Sequence, residues 1–150
     1  MLGLNKEEAK KENLKKIPVS EESAKQQLDD LLQYYDYEGV EDLLSTQSQK
    51  DREIFEGSIR SLLRHIKKGT FSFSVVDGQL EVIQILKSGS SLKWDEMDGN
   101  YKKKMKSDNK FEAVYQLIAS LTNMSENAIG KLKPYDLSPA EDLGTIFLLL

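Results

Sequence analysis

The chain has 150 residues and a mass of 17.1 kDa, enough for one ordinary domain or a small domain with an extension. Hydrophobic residues make up 39% and charged residues 31%, so the core is modest and the surface heavily solvated. A net charge of −4 with acids and bases interleaved argues against a nucleic-acid footprint, and the absence of cysteine excludes disulfides and thiolate chemistry.

The opening stretch, MLGLNKEEAKKENLKK, has no apolar run of signal-peptide length, which points to a soluble, cytoplasmic protein. Residues 1–18 read as a charged N-terminal arm. Lysine and glutamate pairs there suit a solvated, marginal helix, or a basic arm for an acidic partner. Pro18 closes the arm, and a single α+β domain is expected over 19–150. It divides into a helical part at 19–68, a β-hairpin at about 70–86 and C-terminal helices at 110–150.

Ser20 stands at an N-cap position, followed by two glutamates that suit the positive end of a helix. Ala24, Leu28, Leu31, Leu32 and Tyr35 recur at spacings of three and four and predict a helix over 21–36. Gly39 is expected to break it, and VEDLL adds a short helical turn. The polar run STQSQKD reads as a loop and cap region. Ile54, Phe55, Ile59, Leu62, Leu63 and Ile66 then form the apolar side of a helix over 50–68, ended by two lysines and Gly69.

The period next changes from 3.6 to 2. TFSFSVVDGQLEVIQIL alternates about Asp77-Gly78, a signature of the type I′ turn, which needs positive φ at both central residues. A two-residue loop sets Val76 opposite Gln79, Val75 opposite Leu80 and Phe73 opposite Val82, with Phe73, Val75, Leu80 and Val82 on one face. A lone hairpin is marginal, so that face must lie on helices or on further strands. KSGSS reads as a flexible connection. Beyond it Leu92, Trp94 and Met97 fit a short element, while the lysine-rich part fits loop or helix equally.

Phe111, Val114, Tyr115, Leu117, Ile118 and Leu121 make a wide apolar stripe and predict a helix from Lys110 to about 122. Ser125 can cap a short helix through Ile129, ended by Gly130. Ser138-Pro139-Ala140-Glu141 carries a complete start signal, with serine at the N-cap, proline at N1 and glutamate at N3. The last helix then presents Leu143, Ile146, Phe147 and Leu150. The apolar run at the end, Ile146 to Leu150, is five residues, against the roughly 20 that span a bilayer.

Chemistry-bearing patterns are sparse. His65 lies among cations near a helix end with no acidic residue close in sequence, which reads as a helix-end or surface residue rather than a catalytic or metal centre. No G-x-S-x-G elbow and no phosphate-loop spacing occurs. Asp95, Glu96, Asp98 and Asn100 miss the ligand spacing of a calcium loop. Lys102, Lys103, Lys104, Lys106 and Lys110, between Tyr101 and Phe111, could hold phosphates while the rings stack on bases, but the acidic balance and the lack of arginine there oppose it. No cofactor and no metal is expected.

The element order resembles that of the tail assembly chaperones of long-tailed bacteriophages and prophages. Those proteins show a strand-rich start, a helix ending LI..LTG, a following S...I..L turn and an aspartate opening the final helix. The matching residues are Leu117, Ile118, Leu121, Thr122, Ser125, Ile129, Leu132 and Asp136, and the likeness covers about the last 70 of the 150 residues. Asn123 stands where the family has glycine, and the helical half before residue 69 is not part of the family pattern.

The resemblance implies a non-enzymatic protein that binds a tape-measure protein and shields its apolar surfaces until tail-tube subunits replace it. Phe111, Tyr115, Leu121, Met124, Tyr135, Phe147, Leu148 and Leu150 are the candidate contacts with that client or with a second copy of the chain. Amphipathic stripes more often serve as core, and the apolar end from Phe147 is the stronger docking candidate. A permanent virion component such as a neck, connector or baseplate adaptor accommodates the same features, as does a small nucleic-acid-associated protein using the lysine segment.

Overall fold

The computed structural model describes residues 14–99 and 109–150. The expected arm before Leu14 and the lysine segment Lys102–Lys106 lie outside the described residues. Ser20 caps α1 (Glu21–Tyr34), its Oγ accepting from the Ser23 amide at 3.1 Å with Glu21 and Glu22 in the first turn. The helix stops two residues short of the expected end. Asp36 turns left-handed at φ 66, and the Tyr35 and Asp36 amides fall back on the carbonyls of Leu32 and Gln33. An aspartate in the left-handed region, rather than Gly39, therefore breaks this helix.

After the short α2 (Val40–Ser45), Ser48 caps α3 (Gln49–Lys67) by accepting from the Asp51 amide at 3.3 Å. Phe55, Ile59, Leu62 and Ile66 are buried as the spacing predicts, whereas Ile54 at the margin of the stripe is 40% exposed. Gly69 follows with φ 80, and a Cβ there would collide with the backbone of Ile17. Residues 14–19 can thus cross over the end of α3, where the Val19 amide donates to Lys67 O at 2.9 Å and the Leu14 amide to Gly89 O at 2.7 Å.

β1 (Phe71–Val76) and β2 (Gln79–Ile85) pair in the expected register, with Val76 opposite Gln79, Val75 opposite Leu80 and Phe73 opposite Val82. Asp77 and Gly78 both take positive φ, 52 and 77, as the type I′ turn requires. The hairpin is only part of the sheet. β3 (Ser91–Trp94) pairs antiparallel with β2, placing Trp94 opposite Val82 and Leu92 opposite Gln84. KSGSS is correspondingly a tight return, closed by the Leu86 amide donating to Ser90 O at 2.8 Å.

The buried face of this β1-β2-β3 sheet carries Phe71, Phe73, Leu80, Val82, Gln84 and Trp94, while Ser72 and Ser74 face outward. Val75 belongs to the same alternation but is 47% exposed, although Leu80 opposite it is buried. α1 packs on β1, and α3 packs on both α1 and the last helix. The fold is mostly helical α+β, with helices before and after an antiparallel sheet.

α4 (Lys110–Thr122) starts from Asn109, whose Oδ1 accepts the Phe111 amide at 2.9 Å. It ends at Asn123 in the left-handed conformation, φ 57, where glycine would serve equally. Ser125 caps α5 (Glu126–Gly130) as expected, accepting from the Ala128 amide at 3.0 Å.

The final helix, α6, runs Pro134–Leu149, so Ser138-Pro139 is not its start. Pro134 satisfies the same rule at N1 four residues after Gly130, and Pro139 sits buried inside the helix, where it leaves the carbonyl four residues before without an intrahelical donor. Ser138 and Glu141 lie within the helix past its first turn, so they form no capping box.

The first turn of α6 is pinned to the sheet instead. Asp136 is buried and its Oδ1 accepts from the Lys87 amide at 2.9 Å. Gln84, fully buried, donates through Nε2 to Asp136 O at 2.8 Å and accepts from Trp94 Nε1 at 3.3 Å. A buried amide with each end engaged avoids the roughly 1–3 kcal/mol that an unsatisfied group costs. No helix among the described residues is long and apolar enough to cross a membrane.

Candidate docking groove

The eight candidate contact residues separate into core and surface. Leu121 is buried with no exposed area, and Phe147 is 1% exposed, wedged between Tyr35 (ring centroids 6.1 Å apart) and Trp94 (6.2 Å). The expectation that Phe147 begins a docking terminus is therefore corrected. This ring joins α6 to α1 and to the sheet, while Leu148, Leu149 and Leu150 after it stay half-buried.

Tyr115, Met124, Leu148 and Leu150 are half-buried. Tyr135 is exposed, with the Lys87 ammonium 4.6 Å above its ring. Phe111, at 77%, is the most exposed large apolar side chain among the described residues.

Phe111 does not stand alone. With Ile54 of α3, Val114 of α4 and Thr145, Leu148 and Leu149 of α6 it lines a groove of about 340 Å³ where three helices meet. The local causes are visible. Asn109 fixes the start of α4, which puts Phe111 in its first turn. Gly144 lets α6 approach α4, because a Cβ there would come within 3.0 Å of Val114 and Ile118.

The floor is held by a polar bond outside the groove. Gln47 Nε2 donates to Leu149 O at 2.9 Å. The Thr145 hydroxyl already donates to Glu141 O at 2.8 Å. What remains for a ligand is an apolar depression suited to a hydrophobic side chain.

Of the eight candidates, the groove brings together Phe111 and Leu148. Tyr135 lies at the opposite end of α6, roughly 20 Å away at 1.5 Å per residue, and Met124 lies beyond the end of α4 far from Phe111. Ile54, Val114, Thr145 and Leu149 are lining residues that periodicity assigns to core or leaves unremarked. Ile54 had a signal, as it sits one position outside the 55-59-62-66 row that faces the core.

A second cluster lies along the α3–α6 contact. His65 Nε2 and Asp142 Oδ2 are 3.0 Å apart, both partly buried, so the histidine gains an acidic partner that its sequence neighbourhood lacks. The partner is 77 residues away and invisible to sequence spacing. Beside it the Glu141 carboxyl is pushed above its ordinary value, first by burial and then by the Asp142 charge. Tyr115 is raised by burial and by Glu141.

A single imidazole–carboxylate pair tying two helices together is accounted for by packing. Among the described residues no group of three His, Cys, Asp or Glu side chains is placed to hold a metal. In the acidic stretch after β3, Glu96 accepts from Tyr34 OH at 2.7 Å and the Met97 amide donates to Tyr35 OH at 3.1 Å, so its residues anchor α1.

Comparison with protein-family models, curated proteins and solved structures finds no match.

Proposed function

We propose that this protein is a non-enzymatic assembly protein of the tail-chaperone type, which holds an apolar helical segment of a tape-measure client in the groove at Phe111. The exposure of Phe111 beside Ile54 and Leu148 carries the reading: a 77% exposed phenylalanine on a well-capped helix costs solvation and contributes nothing to the core. Helix-in-groove recognition fits such a site, because an amphipathic helix presents side chains at i, i+3 and i+4 to a hydrophobic depression. The likeness of the stretch from Leu117 to Asp136 to tail assembly chaperones supplies the class of client.

Co-expression with the tape-measure protein of the same genome tests this. Wild-type protein should co-purify with the client and keep it soluble. Phe111→Asp or Ile54→Asp should abolish the complex while thermal unfolding stays within a few degrees of wild type. Failure of the wild-type pair to form any complex, or binding indifferent to both substitutions, would sink the proposal. Mass spectrometry of purified particles gives a separate check, since a chaperone is absent from them and a virion subunit is present in fixed copy number.

A further inference from the structure

We draw no further inference here: the strongest candidate, the apolar groove between α3, α4 and α6 with its exposed Phe111, belongs to the site already described, and nothing in the structure shows what else covers it.

Discussion

Replacing Phe147 with alanine deletes a ring that is 1% exposed and in contact with Tyr35 and Trp94. Truncating a buried phenylalanine costs about 3–5 kcal/mol, the sum of lost transfer energy and the cavity left behind. For a domain of this size each kcal/mol shifts Tm by roughly 2–4 °C, so the melting temperature should fall by roughly 6–20 °C.

Phe111→Ala removes a ring that is 77% exposed and should change stability by no more than about 0.5 kcal/mol. Urea unfolding followed by the fluorescence of Trp94, the single tryptophan, measures both variants in one assay. If Phe147→Ala leaves too little folded protein, Phe147→Leu should show a smaller loss of about 1–2 kcal/mol. Equal and negligible effects of Phe147→Leu and Phe111→Ala would refute the division into core and surface.

Gln84→Ala should destabilise by about 1–3 kcal/mol by orphaning Trp94 Nε1 and removing the bond to Asp136 O, and it should shift Trp94 emission; an unchanged midpoint would contradict the role given to this amide. Glu141 titrates above its ordinary value of 4.5, so the folded state binds that proton more tightly than the unfolded chain. Its contribution is present below the unfolded value and is lost as pH rises through the folded one. Glu141→Gln should therefore raise stability at pH 7 and do less at pH 3, which urea midpoints at the two values will show.

Burial pushes Tyr35 from 10.0 to about 12, with the Met97 amide acting in the opposite sense and the Glu96 charge adding to the rise. Because the unfolded phenol ionises first, stability should fall between pH 10 and 12. Tyr35→Phe should flatten that fall, and an identical alkaline decline in both proteins would count against the assignment.

Most elements are written in local chemistry. The caps Ser20 and Ser125 and the Asp77-Gly78 turn rest on contacts within a few residues, and the length of that turn fixes the register of β1 against β2, so these can be read directly from the chain. Where two local signals compete, only packing decides. Pro134 and Pro139 both announce a helix start, and burying Asp136 against Lys87 and Gln84 selects the first.

The third strand was similarly open, because four residues of mixed pattern become a strand only when β2 supplies the ladder and Trp94 finds the core. The site divides along the same line. Amphipathic periodicity identifies Phe111, Leu121 and Phe147 as apolar positions on helices, but a stripe wider than the core looks the same from within one helix. Which edge is left over depends on how α3, α4 and α6 cross, and that crossing buries Leu121 and Phe147 while leaving Phe111 and Ile54 in water.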